Sequence, residues 1–92
     1  MIRKLNDEEI STRLDNLAGW TIQGGKLHRE FVFPDFVNAF AFMSKIALLA
    51  ERINHHPEWS NVYGRVVIDL TTHDCDGLSE RDFALAAAIE GF

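Results

Sequence analysis

The chain has 92 residues, a formal net charge of −5, a 47% hydrophobic composition and a single cysteine. This length suffices for one hydrophobic core, so we expect residues 1–92 to form a single domain. The nine basic residues are scattered, which argues against direct binding of nucleic acid. The sequence shows neither a signal peptide nor an apolar run of membrane-spanning length, and the lone cysteine excludes an internal disulfide, so we expect a cytoplasmic protein.

The first predicted element is a short helix over residues 5–17. Asn6 can cap this helix, and Glu9 stands at the capping-box position three residues later. Apolar residues then recur at helical spacing from Ile10 onward, and Gly19 supplies the stop.

A hairpin follows, with strands at residues 20–23 and 26–33. The Gly24-Gly25 pair between them accepts the positive φ angles that a two-residue hairpin loop requires. Strand alternation places His28 on the polar face, where we interpret it as a cross-strand polar residue rather than a catalytic one. The same alternation predicts a core face of Trp20, Ile22, Leu27, Phe31 and Phe33.

The longest predicted helix covers residues 35–54, because Asp35 is a good N-cap and Pro57 disfavours helical geometry at the residue before it. Its apolar face is unusually wide for a small domain, which we interpret as core or subunit interface. One predicted stripe on this face contains Phe36, Phe40, Met43, Ala47 and Ala50, and it is widened by Phe42, Ile46, Leu49 and Ile53.

A second hairpin is predicted from strands at residues 58–63 and 66–72, turning at Gly64-Arg65. In that register one face holds Trp59, Tyr63, Val66, Ile68 and Leu70.

Ser79 then caps a last helix, with Asp82 at its capping-box position and Gly91 at its end. The element order is therefore α-β-β-α-β-β-α. We predict an α+β fold, a two-layer sandwich in which a four-stranded antiparallel sheet carries the helices on one face.

Three of the four histidines lie close to two carboxylates in one stretch of the chain. Glu51 and His55 are four residues apart at the end of a helix, so they project from the same side and can touch. His56 should face another part of the same pocket, and His73 and Asp82 approach from the last strand and the last helix. Imidazoles on two walls of a pocket can act as acid and base near neutral pH.

Simpler interpretations remain open for these residues. Glu51 and His55 can form a surface pair, and Asp82 can serve only as a helix cap. A metal site competes, but adjacent histidines rarely bind one ion together and no metal-binding motif is present, so we predict none. Cys75 lies between two aspartates, which would blunt a thiol nucleophile.

The spacing of these residues resembles the signature of the pterin-4a-carbinolamine dehydratase family. That pattern is an acidic residue, three residues, His-His-Pro, five residues, an aromatic, nine residues, His and a later Asp. The chain matches every position of this pattern, with Glu51, His55-His56-Pro57, Tyr63, His73 and Asp82. The flanking segments D-F-V-N-A-F-A-F-M and L-S-E-R-D-F-A-L-A look family-like as well, so the resemblance covers most of the chain.

The resemblance implies a dehydratase that converts 4a-hydroxytetrahydrobiopterin to quinonoid dihydropterin and water, in tetrahydrobiopterin recycling for an aromatic amino acid hydroxylase. It implies that His55 and His73 are acid and base, and that His56 positions the pterin and transfers protons. Glu51 and Asp82 would orient or bind, with no metal or organic cofactor.

The resemblance also implies a homodimer or homotetramer. Some animal members of the family bind a dimeric homeodomain transcription factor, so the alternative is a non-enzymatic dimerisation or coactivator module on the same fold. The intact set of His55, His56 and His73 counts against that alternative. A family member that acts on a different pterin is a further alternative.

Overall fold

The structure is a computed structural model that describes residues 2–92. It contains the predicted elements in the predicted order, with a short 3-10 turn at His73–Cys75 in addition. The helices are α1 (Asp7–Leu14), α2 (Phe36–Ile53) and α3 (Glu80–Glu90), and the strands are β1 (Thr21–Gln23), β2 (Lys26–Val32), β3 (Glu58–Val62) and β4 (Arg65–Leu70). No helix within residues 2–92 is long and apolar enough to cross a membrane.

The four strands form one antiparallel sheet in the order β1-β2-β4-β3. One face of the sheet and the three helices enclose the core, so the predicted α+β two-layer sandwich is confirmed. The opposite face, which we call the open face, carries mostly polar side chains. The largest fully buried apolar side chains are Leu27, Ile46, Val66, Ile68, Leu70, Leu85 and Ile89.

The first hairpin turns where the sequence predicts. Gly24 and Gly25 have φ angles of 59° and 77°, and the strands pair with Gln23 opposite Lys26. Positive φ at both loop residues is the requirement of a type I′ turn. Ile22, which alternation places on the core face, is 39% exposed because β1 is a three-residue edge strand.

The second hairpin turns one residue earlier than predicted. Val62 pairs with Arg65, so the loop is Tyr63-Gly64 rather than Gly64-Arg65. Tyr63 has the positive φ angle, 50°, and is exposed instead of lying on the core face. The strand pairing therefore slides by two residues, and because side chains alternate with a period of two, the apolar residues of both strands keep their predicted face.

The buried face of α2 is narrower than predicted, since it consists of Ala39, Phe42, Ile46 and Ala50. Phe36, Phe40 and Ile53 from the predicted apolar face are exposed instead, because the sheet covers only one side of the helix. Val37 and Leu48, which the prediction did not include, are exposed as well. We call the following residues the exposed stripe: Phe36, Val37, Phe40 and Leu48. The helix ends as predicted, at Asn54, which adopts the left-handed conformation with a φ angle of 54°.

Candidate active site

The three histidines singled out from the sequence line one pocket of about 300 Å³. It lies where the chain leaving α2 faces the chain leaving β4, beside the first turn of α3. His55, His56 and His73 line it together with Thr72 and Arg81. A wider hollow of about 460 Å³ near the start of α3 has no imidazole among its lining residues, so side-chain chemistry and not volume identifies the candidate site.

Asp82 anchors the buried wall of this pocket. Its carboxylate is 0% exposed and accepts three hydrogen bonds, from His55 Nε2 at 2.7 Å, Thr72 Oγ1 at 2.7 Å and the Ser79 backbone N–H at 3.0 Å. Because the Thr72 proton points to Asp82, the Ser79 hydroxyl, 2.7 Å away, must donate to Thr72 Oγ1. The capping box of α3 therefore also holds the His55 ring in place, through the Asp82 carboxylate.

This network assigns the tautomer of His55. An ionised carboxylate only accepts, so His55 carries its proton on Nε2. Every fully buried side-chain nitrogen and oxygen in residues 2–92 has a hydrogen-bond partner, and Nδ1 of His55 has none. This nitrogen is consequently not fully buried, although His55 is only 8% exposed, and His55 is one of the residues that line the pocket. It can accept a proton while Asp82 stabilises the charged ring.

Glu51 pairs with His56 and not with His55, so the predicted contact between Glu51 and His55 is wrong. Glu51 Oε1 lies 2.9 Å from His56 Nε2, and both side chains are more than half exposed. The reason is the left-handed Asn54, which ends the helix before His55 and turns that residue inward. Spacing rules for a helix face do not apply beyond its cap.

His73 also has a carboxylate partner, which sequence reasoning missed. Glu58 Oε2 lies 3.1 Å from His73 Nε2, and Glu58 Oε1 accepts a hydrogen bond from Lys26 Nζ. The Lys26 ammonium, and to a lesser extent His73, hold the pKa of Glu58 below its usual range. Alternation along the predicted strands assigns Glu58 and His73 to the same side, but β4 ends at Leu70 and His73 lies in the 3-10 turn that follows, where strand spacing no longer applies.

Two further pocket residues were missed. Thr72 carries the hydroxyl that joins Ser79 to Asp82, and no spacing rule connects it with His55. Arg81 lines the pocket from the first turn of α3, and its guanidinium makes no hydrogen bond or ion pair within residues 2–92. A bound molecule can therefore receive its hydrogen bonds.

Each imidazole of the pocket thus faces a carboxylate through Nε2. In residues 2–92, no group of three or more histidine, cysteine, aspartate or glutamate side chains is arranged to hold a metal ion. The fold and the site define a class of protein: a small α+β domain whose pocket is equipped for proton transfer by histidine–carboxylate pairs.

Comparison with known proteins identifies the family, within this class, to which the chain belongs. The chain belongs to the pterin 4 alpha carbinolamine dehydratase family, whose model matches residues 3–92. A relative from Solibacter usitatus, provisionally named pterin-4-alpha-carbinolamine dehydratase, is 53% identical over 90 residues, which are 98% of this chain and 95% of the relative. A relative from Prochlorococcus marinus with the same provisional name is 55% identical over 85 residues, which are 92% of this chain and 88% of the relative.

A solved structure has the same fold. The crystal structure of a transcriptional coactivator/pterin dehydratase from Brucella melitensis matches with a TM-score of 0.93 and 40% sequence identity, covering 97% of each chain. The resemblance seen in the sequence motif is therefore confirmed at the level of the family and the fold.

Proposed function

We propose that the protein dehydrates 4a-hydroxytetrahydrobiopterin to quinonoid dihydropterin by histidine acid–base catalysis. The observation that carries this proposal is the convergence of His55, His56 and His73, each paired with a carboxylate, on one pocket of a chain from this family.

The reaction requires two proton transfers on the same ring. The bond between C4a and the hydroxyl oxygen breaks, and the oxygen leaves as water after gaining a proton. N5 loses its proton, and its electron pair forms the new double bond to C4a. One acid and one base on different sides of the substrate satisfy this demand.

We assign the base to His55, because this pocket residue has an Nδ1 without a partner within residues 2–92, and Asp82 stabilises the ring after it accepts the N5 proton. His73 is the acid that protonates the leaving hydroxyl, since it approaches from the other wall beside Glu58. His56, held by Glu51, positions the pterin and assists proton transfer. Glu51 and Asp82 act by orienting these rings.

Stopped-flow ultraviolet absorbance tests this proposal by following decay of the 4a-hydroxytetrahydropterin with and without protein. Wild type should accelerate the decay, and His55→Ala and His73→Ala should each lower kcat/KM by about 100-fold. His28→Ala is the matched control, since His28 also contacts a carboxylate, Asp69, but does not line the pocket. Full activity in both pocket variants would refute the assignment.

The exposed stripe on α2 favours a second candidate function, partner binding. Four large apolar side chains face solvent there, which is typical of an interaction surface, and the Brucella melitensis structure is named a coactivator as well as a dehydratase. A folded protein that leaves the pterin decay unchanged but binds a transcription factor dimer would favour this module over the enzyme.

Further proposals concern the cellular location of the protein, its assembly and the enzyme it serves. We propose that residues 1–92 act as one domain in the cytoplasm, that the protein assembles as a homodimer or homotetramer through the exposed stripe, and that it serves an aromatic amino acid hydroxylase. The last point rests on the family resemblance.

A further inference from the structure

We propose that Glu58 is a positioning residue for His73: its ionised carboxylate, which accepts from Lys26 at the other oxygen, keeps the proton of the neutral His73 ring on Nε2. This inference deepens the proposed function, because it specifies which ring nitrogen of His73 faces the reaction. It concerns two residues outside the motif that carries the family resemblance.

The geometry gives Glu58 two different partners. Glu58 begins β3, and its side chain lies on the open face, where Oε1 accepts from Lys26 Nζ and Oε2 lies 3.1 Å from His73 Nε2. An ammonium can only donate, and an ionised carboxylate can only accept. The proton of a neutral His73 ring must therefore reside on Nε2, which leaves Nδ1 without a partner within residues 2–92.

The surrounding charges keep this arrangement in place. Asp69 lies opposite Glu58 in the sheet, but its carboxylate is occupied by His28 Nδ1 at 2.7 Å. Lys26 is thus the cation that offsets the two neighbouring carboxylates, and Glu58 and Asp69 both raise the pKa of Lys26. The hydrogen bond from Lys26 is also the largest cause of the lowered pKa of Glu58.

The amide variant Glu58→Gln provides a directional test, because an amide has one accepting oxygen and one donating nitrogen. Lys26 accepts nothing, so it should retain the amide oxygen and leave the NH2 group facing His73. The ring must then accept at Nε2 and move its proton to Nδ1. We expect Nδ1–H to become the major tautomer of His73 in this variant.

Ring 15N chemical shifts of His73 measure the tautomer at about pH 9, above the ordinary imidazole pKa. Wild type and Lys26→Met should show Nε2–H, and Glu58→Gln should show Nδ1–H. The double variant Lys26→Met/Glu58→Gln should return to Nε2–H, since the amide oxygen is then free to turn to the ring. A Glu58→Gln spectrum with an unchanged Nε2–H ring would overturn the proposal.

Activity supplies the second measurement. The ion pairs here are partly exposed, so Glu58→Gln should lower kcat/KM by only about two- to five-fold, and the double variant should recover the activity. Glu30→Gln is the matched control, since Glu30 pairs with Arg65 on the same open face and forms no hydrogen bond with a histidine within residues 2–92. An equal loss in Glu30→Gln would assign the effect to the charge of the open face and contradict a specific contribution of Glu58.

The two measurements separate the two proposals. A wild-type protein without dehydratase activity would refute the proposed function, while the 15N shifts would still decide whether Glu58 determines the tautomer of His73.

Discussion

The candidate site consists of pairs in which a carboxylate meets Nε2 of an imidazole, but these pairs differ in burial. His55 and Asp82 are buried, whereas His56 and Glu51 are mostly exposed. Water competes with exposed pairs and hardly reaches buried ones, so the same contact has different energetic consequences. We therefore expect the His55–Asp82 pair to dominate both the stability of the site and its chemistry.

The variant Asp82→Asn tests this expectation. Asparagine cannot accept all three hydrogen bonds that Asp82 accepts, and it removes the charge that stabilises a protonated His55. Unfolding in urea should show a loss on the order of 3 kcal/mol, and kcat/KM should fall by at least about tenfold. Glu51→Gln, the same kind of change at an exposed pair, should alter stability by less than about 1 kcal/mol; equal losses in the two variants would contradict the expectation.

Two substitutions of Thr72 distinguish the contribution of its hydroxyl group to stability from the contribution of its methyl group. Thr72→Val preserves the volume but leaves Asp82 Oδ2 without one donor, so the free energy of unfolding should fall by about 1–3 kcal/mol. Thr72→Ser retains the hydroxyl and removes one methyl group, so the free energy of unfolding should fall by about 1 kcal/mol. Urea unfolding of wild type and both variants measures these losses, and a valine variant as stable as wild type would show that the hydrogen bond does not contribute to stability.

At the scale of the elements, the glycine in the turn between β3 and β4 is required by the backbone of Phe33, which follows the end of β2. The Phe33 N–H donates to the Gly64 carbonyl at 2.7 Å, and a Cβ atom on Gly64 would lie 2.3 Å from the Phe33 carbonyl oxygen. Close approach of two backbones, rather than a positive φ angle, is the reason for glycine at this position.

The variant Gly64→Ala should therefore destabilise the protein by about 1–3 kcal/mol, because backbone must shift to admit the methyl group. In a domain of this size each kcal/mol lowers Tm by about 4–8 °C, which differential scanning calorimetry can measure. Gly24→Asn is the control, since nothing lies within 4 Å of a Cβ there and asparagine tolerates the left-handed conformation. An unchanged Tm for Gly64→Ala would show that the turn adjusts freely.

The capping box of α1 predicts a pH dependence. Hydrogen bonds from Arg3 and then from the Asn6 backbone N–H lower the pKa of Glu9 from 4.5 to about 2. A carboxyl group with a lowered folded-state pKa contributes stability above its unfolded pKa and loses it as the pH falls through the folded pKa. The stability advantage of wild type over Glu9→Gln should thus be full at neutral pH and vanish between pH 4.5 and about 2.

Urea unfolding across this pH range measures the Glu9 contribution. Glu8→Gln is the control, because the Glu8 side chain occupies the same turn and makes no hydrogen bond within residues 2–92. A difference between wild type and Glu9→Gln that stays constant down to pH 2 would contradict the assignment.

At the scale of the whole molecule, α2 contacts the core with one face and presents an apolar face to solvent. The rings of Phe36 and Phe40 lie on the outside of the helix with their centroids 5.8 Å apart and their planes tilted by 42°. Val37 and Leu48 continue the exposed stripe. An apolar surface of this kind is typical of an interface between subunits.

The variant Phe40→Glu should therefore shift the protein toward monomer in analytical ultracentrifugation, because a carboxylate would be buried without a partner in the interface. Wild type should sediment as a dimer or tetramer at the same concentration. Asn16→Glu adds the same charge at an exposed position after α1 and should leave the assembly unchanged. A Phe40→Glu protein that sediments like wild type would place the interface elsewhere.

Much of the fold was predictable because it depends on local rules. The caps at Asn6, Asp35 and Ser79 and the Gly24-Gly25 loop carry their structural requirements within a few residues of chain. The second turn was predicted one residue late, since the contact between Gly64 and Phe33 joins residues distant in sequence.

For the site, the sequence determined which histidines come together, because the spaced motif of the family specifies them. The tertiary structure decided which carboxylate each histidine meets. Asn54 turns His55 away from Glu51 and toward Asp82, and the pairing of β3 with β4 places Glu58 beside His73. Spacing along the chain predicts contacts only while a helix or strand continues, whereas these partners meet across a helix cap and between separate elements, where only the packed fold brings them within hydrogen-bonding distance.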